Sequence, residues 1–349
     1  MPSGRQVRWH TLIAAALTIG LLWWFLRNLN FREVWSAMRG ARLWPIVLVV
    51  LVTFQTYVFR AWRWQALLLP IGRARFSTAL RTTVIGFTAT FLLPGRIGEV
   101  LRPYLLARRE GFSAAATFAT VIVERILDLV TVLLLFGVFL LTTSLDVGEQ
   151  VKLGGGIATG VAIAALVVMA VSAGHPERLG RWTERAARLL PGRGAEVAGR
   201  FVHTFVGGLA VMRRPGALAS AMALSVLLWI SIAVGVWLTS MALEVRFGFA
   251  GSFLVLMFLV VGVALPTPAG VGSFHAMYKW AVVDFFAADP DRAAAAAIVL
   301  HLVTFAPISL VGLVFMAQDG LSLFGLKRMQ STAEAAEAQP EKSTSGVTN

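Results

Sequence analysis

Cysteine is absent from the 349 residues, which excludes a disulfide, a thiolate metal site and a cysteine nucleophile. Charge is scarce as well: Asp, Glu, Lys and Arg make up 14% of the chain, and only 18 residues are acidic. Soluble globular domains carry about a quarter charged residues. That shortfall excludes a water-soluble enzyme, a nucleic-acid-binding domain and a disordered chain. What is plentiful is apolar: 57% hydrophobic residues and a mean hydropathy of +0.75. Such a composition describes a polytopic membrane protein. The formal net charge of +13 then reads as cytoplasmic-loop arginine that orients spans and faces anionic headgroups.

Apolar runs long enough to cross about 30 Å of hydrocarbon, which takes roughly 20 residues, lie near 11–26, 43–59, 115–142, 153–173, 218–242 and 292–317. The first follows Arg5 and Arg8 like a signal sequence, but no small-residue cleavage site follows it and Trp23, Trp24 and Phe25 read as an interfacial anchor. It is expected to be a retained span. Two further apolar stretches are broken. Thr82–Leu93 stops at Pro94-Gly95-Arg96 and resumes as Ile97–Leu106; Phe249–Leu265 stops at Pro266-Thr267-Pro268-Ala269-Gly270 and resumes as Val271–Phe286. The first limb, about 12 residues long, is too short to span and reads as re-entrant. The expected fold class is therefore an all-α polytopic membrane protein with about six full spans and two re-entrant or broken helical hairpins.

Arginine placement sets the expected topology. With both termini cytoplasmic, the loops at 60–81, 108–109 and 174–216 fall inside, and they hold Arg60, Arg63, Arg73, Arg75, Arg81, Arg108 and Arg109 among others. The 28–42 loop, with Arg32, Arg39 and Arg42, conflicts by falling outside. The basic 174–216 segment is expected to rest on the membrane surface. Residues 1–328 read as a single transmembrane domain, and the polar, aperiodic 329–349 as a disordered tail.

The two breaks match. Pro94-Gly95-Arg96-Ile97-Gly98-Glu99 aligns with Pro268-Ala269-Gly270-Val271-Gly272-Ser273: proline first, a β-branched residue fourth, glycine fifth. Each lies between two long spans, giving pseudo-repeats at about 43–142 and 218–317. On the topology above one hairpin enters from each side. That is an inverted repeat, the plan of many secondary transporters, whose broken segments meet near the midplane. Pro94, Gly95, Gly98, Pro266, Pro268, Gly270 and Gly272 would let the chain turn inside the membrane. The amides that open each second half-helix would form an anion site. Proline and glycine also merely kink membrane helices; the paired occurrence favours the repeat.

A charge near the bilayer centre costs about 2.5–3.5 kcal/mol on insertion scales, so buried charges mark function by default. The first hairpin carries Arg96, Glu99 and Arg102, with Glu99 and Arg102 spaced to pair. The following span holds Glu124, Arg125 and Asp128, the two acids sharing a face and Arg125 within reach of Asp128. The second hairpin carries His275 and Lys279 one turn apart, and the span after it His301. Arg96, Arg102, Arg125 and Lys279 suit an anionic headgroup. Glu99, Glu124, Asp128 and His275 are candidate coupling or counter-charge groups, while His301 reads as a hydrogen-bonded packing residue. The competing reading is that the charges only lock packed helices together.

The stretches LLPGRIGEVLRPYLLARREG and ATVIVERILDLVTVLLL, followed by LPTPAGVGSFHAMY, resemble the lysylphosphatidylglycerol synthase transmembrane, flippase-like family. The resemblance runs from about residue 10 to 320 and rests on Pro94, Gly95, Arg96, Gly98, Glu99, Arg102, Glu124, Arg125, Asp128, Pro268, Gly270 and Gly272. It implies a translocase moving an anionic phospholipid or polyprenyl-linked headgroup across the plasma membrane. Many relatives have Gly-x-x-Glu where this chain has Gly272-Ser273-Phe274-His275. The soluble aminoacyl-transfer domain of fused synthases is not seen, so lysyl-lipid synthesis is not expected, and neither is a cofactor or a metal. Membrane lipids are the expected partners. The alternative is a non-transporting accessory protein that presents lipid to, or scaffolds, an envelope-lipid or glycan enzyme. An intramembrane transferase using Glu124 or Asp128 as base lacks any accompanying nucleotide, metal or nucleophile motif.

Overall fold

The computed structural model describes residues 16, 18–27, 29–93, 96–145, 147–174, 209–265 and 267–321. Pro94, Gly95 and Pro266, most of the 174–216 segment and the 329–349 tail lie outside the described residues. Among the described residues the chain is helical, with no strand. The helices are α1 (18–26), α2 (Phe31–Arg39), α3 (Leu43–Leu68), α4 (Phe76–Leu92), α5 (Gly98–Glu110), α6 (Ala114–Thr142), α7 (Glu149–Gly174), α8 (Pro215–Ala242), α9 (Gly251–Ala264), α10 (Ser273–Phe286) and α11 (Pro290–Gln318). Four of them, α3, α6, α8 and α11, are long and apolar enough to cross a membrane. Helix α7 covers the expected 153–173 span with 26 residues.

Local chemistry sets the boundaries. Asn30 caps α2 by accepting from the Arg32 amide, and Asp289 caps α11 by accepting from Asp291 and Arg292, with Pro290 opening the helix. Helix α5 ends at Gly111, whose φ of 70° suits glycine. The 28–42 region, awkward as an external loop, contains α2. This short amphipathic helix leaves Phe31 and Trp35 exposed and stacks Arg39 on Trp35. Aromatics and arginines together suit a membrane interface, so these arginines need not cross anything.

The expected end of the second span at residue 59 is corrected. Helix α3 runs on to Leu68, so Arg60 and Arg63 are helix residues and not loop arginines; Arg81 likewise lies inside α4. The run Arg60-Ala61-Trp62-Arg63-Trp64-Gln65-Ala66-Leu67-Leu68 has no breaker before Pro70; the Arg63 guanidinium meets carboxylates and that of Arg60 lies over aromatic rings. The first hairpin limb also starts earlier than Thr82, at Phe76.

None of the four hairpin limbs is among the helices long and apolar enough to cross a membrane. At 1.5 Å per residue α4 is about 25 Å long, and α5, α9 and α10 about 20 Å. The turn of the first hairpin leaves Leu93 extended and holds Arg96 at φ 54°. The second puts Ala269, Gly270 and Gly272 at φ 54°, 70° and 85°. Arg96 and Gly270 occupy the same third place in the two aligned motifs, and both are left-handed. The limbs then close through glycine. A Cβ on Gly98 would lie 2.7 Å from the Thr90 amide nitrogen, and one on Gly262 would lie 2.9 Å from the Ser273 carbonyl oxygen.

End contacts fix the directions. The Arg42 amide donates to the Ala242 carbonyl, and Arg214 reaches the Leu69 carbonyl, so α3 and α8 pack antiparallel. The first hairpin has both outer ends at the Leu69 end, where Arg75 pairs with Glu110 and Arg109 with Asp319, the residue that follows α11. The second has both at the Ala242 end, where Phe247 stacks on Phe286 and Arg292 pairs with Glu244. The hairpins thus open toward opposite ends of the bundle. Their packing is also exchanged: α4 lies on α11, and α9 lies on α6.

Candidate functional site

Helix α6 places Glu124 and Asp128 one turn apart about 15 Å in from its start. Both acids face α3 and α5, and their partners are arginines. Arg102 grips Glu124 with two bonds, Nη1–Oε1 at 2.9 Å and Nη2–Oε2 at 3.1 Å. Arg63 sits between the acids, 3.0 Å from Glu124 Oε1 and 2.5 Å from Asp128 Oδ1. Arg125 reaches both, at 2.8 and 3.2 Å. The second layer comes from α3 and α8. The Ser225 hydroxyl accepts from Arg63, and Trp229 Nε1 donates to Asp128 Oδ1 at 2.8 Å. The Arg102 guanidinium lies 3.9 Å from the centroid of the Trp64 ring, whose Nε1 donates to Thr120. Fork-shaped guanidiniums on carboxylates are the arrangement in which a buried ion pair is well compensated.

The Glu99–Arg102 pairing expected from spacing does not form. Glu99 pairs with Arg96 at 3.2 Å instead, because Arg102 points across to α6. Four guanidiniums (Arg60, Arg63, Arg102 and Arg125) surround two carboxylates, so the cluster keeps two positive charges in excess.

Above this cluster lies a cavity of about 360 Å³ between the two hairpins and the four long helices. Its polar wall presents Arg60, Arg96, Glu99, Arg102, Arg125 and Asp128, with Tyr57, Thr53 and Thr56 beside them. The rest of its lining is largely apolar and includes Leu256, Leu259, Val260 and Val263 of α9 with Phe274, Leu300 and Phe305. Gly98, the first residue of α5, also lines it. Cationic side chains and apolar ones thus share one cavity.

The second hairpin is arranged differently from the expectation. Lys279 and His275 do not line the cavity. Lys279 donates to the Phe25 carbonyl of α1 at 3.3 Å and lies against the Phe25 ring. His275 accepts from the Gly272 amide through Nδ1 and packs on Phe25 and His301. The amide end of α10 is therefore occupied by its own histidine and by α1, and is not open to a ligand. His301 bonds the Ala269 carbonyl at 3.0 Å, steadying a strained residue of the break.

Sequence reasoning left out Arg60, Arg63, Trp64 and Trp229. The absence of proline and glycine from 60 to 69 is the signal that keeps the first three inside α3. Nothing local marks Trp229.

A bundle with four helices long and apolar enough to cross a membrane, and two opposed broken hairpins between them, defines a multi-pass membrane protein. Residues 11–312 match the family described as "Lysylphosphatidylglycerol synthase TM region". The chain belongs to that family. No curated protein matches it.

Proposed function

We propose that this protein is a lipid translocase that carries an anionic headgroup through the cavity while the acyl chains stay in the bilayer. The carrying observation is the mixed lining of the cavity, with cationic residues of the first hairpin, α3 and α6 together with apolar residues of α9. The exchanged packing of the hairpins supports an inverted repeat, whose halves would rock to give the headgroup access to alternate sides. Arg96 and Arg125 would hold the headgroup, with Arg102 fixed behind them; Glu99, Glu124 and Asp128 supply counter-charge. The same reading puts the Leu69 end in the cytoplasm of a plasma membrane, since Arg73, Arg75, Arg108, Arg109, Arg213 and Arg214 gather there.

The test is headgroup translocation in sealed proteoliposomes, read as dithionite bleaching of tail-labelled fluorescent phosphatidylglycerol. Wild type is expected to expose the inner-leaflet pool. The double variant Arg96→Ala, Arg125→Ala is expected to leave it protected; both side chains are partly exposed, so the fold should persist. Translocation that survives the double change overturns the proposal.

A further inference from the structure

Arg60 is the cation of the cavity that the cluster does not satisfy. Among the described residues it forms no ion pair: Arg63, Arg102 and Arg125 take every contact to Glu124 and Asp128. Its guanidinium lies over the Phe87 and Tyr57 rings, 4.6 and 5.9 Å from their centroids, and its Nε is buried with no hydrogen-bond partner. A guanidinium about 12 Å inside α3, eight residues from its end, is strongly disfavoured in an apolar setting unless an anion meets it.

The remaining groups define which anion. Asp128 Oδ1 already accepts from Arg63 and Trp229, and Oδ2 is held by Arg125. Glu124 is engaged through both oxygens. Glu99 is bound by Arg96. The Thr53, Thr56 and Thr90 hydroxyls donate to carbonyls of their own helices. The polar wall therefore offers cationic donors and little free carboxylate. A cationic aminoacyl headgroup would find few acceptors there, whereas phosphate oxygens find donors on several sides.

We infer that the cavity selects a terminal phosphate carrying two negative charges, a phosphomonoester or diphosphate, with Arg60 supplying the contact for the second charge. The inference rests on reading the cavity as a headgroup site. The two excess positive charges of the cluster match such a ligand, and a singly charged phosphodiester leaves one of them uncompensated. The apolar α9 wall assigns the phosphate to a lipid and not to a free ion.

The experiment is competition for the purified full chain in detergent micelles, read by native mass spectrometry. The probes share acyl chains: phosphatidic acid, phosphatidylmethanol and lysyl-phosphatidylglycerol. The first two differ by one methyl group and one charge, so their apolar contributions cancel. Phosphatidic acid is expected to be favoured over phosphatidylmethanol by roughly tenfold, and lysyl-phosphatidylglycerol to bind more weakly than either. Arg60→Gln is expected to bring phosphatidic acid down to the phosphatidylmethanol level, and Arg60→Lys to keep most of the difference. Equal binding of the two by wild type overturns the inference even if Arg60→Gln does not fold. So does a preference that survives Arg60→Gln, or lysyl-phosphatidylglycerol displacing phosphatidic acid. Inorganic phosphate and pyrophosphate form the second arm. Failure to displace phosphatidic acid at equal concentration supports the lipid source, and displacement overturns it. Dianion preference without translocation removes the translocase reading alone; translocation without preference removes this inference alone.

Discussion

Arg63 Nη1 lies 2.5 Å from Asp128 Oδ1, joining α3 to α6 across 65 positions of sequence with both residues buried. The same guanidinium bonds Glu124 and Ser225, so one arginine ties α3 to both α6 and α8. The helices that frame the cavity are thus held by the charges beneath it, and changes there should be felt as stability before they are felt as binding.

Glu124→Ala removes the shared acceptor of Arg63, Arg102 and Arg125. Arg63 and Arg125 keep Asp128, but the buried Arg102 guanidinium is left unpaired, which costs about 3–5 kcal/mol. Thermal unfolding of the detergent-solubilised protein should show a large fall in Tm. The same truncation of Arg75, whose partner Glu110 it meets from an exposed position, should cost less than about 1 kcal/mol.

Gly98→Ala should prevent the first hairpin from closing. The added methyl would strike the Thr90 amide nitrogen at 2.7 Å, and backbone on a packed helix has little room to move. The expected result is loss of the monodisperse peak in size-exclusion chromatography. Gly137→Ala, where a Cβ meets nothing within 4 Å, is the matched control and should behave as wild type.

Lys279→Ala should leave phosphatidylglycerol binding within about twofold of wild type, because Lys279 is spent on the Phe25 carbonyl and faces away from the cavity. Arg125→Ala should weaken it roughly tenfold or more, as expected for a lost charge-assisted bond. Native mass spectrometry with that lipid checks both. An equal loss from the two changes would restore Lys279 to the site.

Arg108→Cys and Arg246→Cys should label from opposite faces of sealed vesicles. The chain has no cysteine of its own, so a single introduced thiol reports without background. Arg108 ends the first hairpin and Arg246 precedes the second, and both are exposed. Labelling of both from one side by a membrane-impermeant maleimide would contradict the opposed hairpins.

Tyr278→Phe should cost about 0.5–1.5 kcal/mol, no more than one net hydrogen bond. The Tyr278 hydroxyl meets Ser240 at 2.6 Å in the α8–α10 contact, but Ser240 keeps its own bond to the Val236 carbonyl. Thermal unfolding again reads the change.

Much of this architecture was legible in the residues. Hydropathy marked the long helices, and proline with glycine marked both breaks, because solvation and backbone permissiveness are properties of a short stretch. The spacing of Glu124, Arg125 and Asp128 correctly placed Arg125 beside Asp128, since one helix sets that geometry alone. The pairing of Glu99 with Arg102 failed for the complementary reason. Spacing allowed it, but Arg102 has a better partner 22 positions away on α6.

By itself, then, the sequence determined that the chain lives in a membrane, where it breaks, and which helices carry charge. Only the tertiary structure decided which charges meet. It drew Arg60 and Arg63 from an apparent loop into the core of the site, turned Lys279 away, and closed the amide end of α10 with His275. A guanidinium buried among helices takes the nearest well-aligned carboxylate, and that distance is fixed by packing between segments that sequence spacing does not measure.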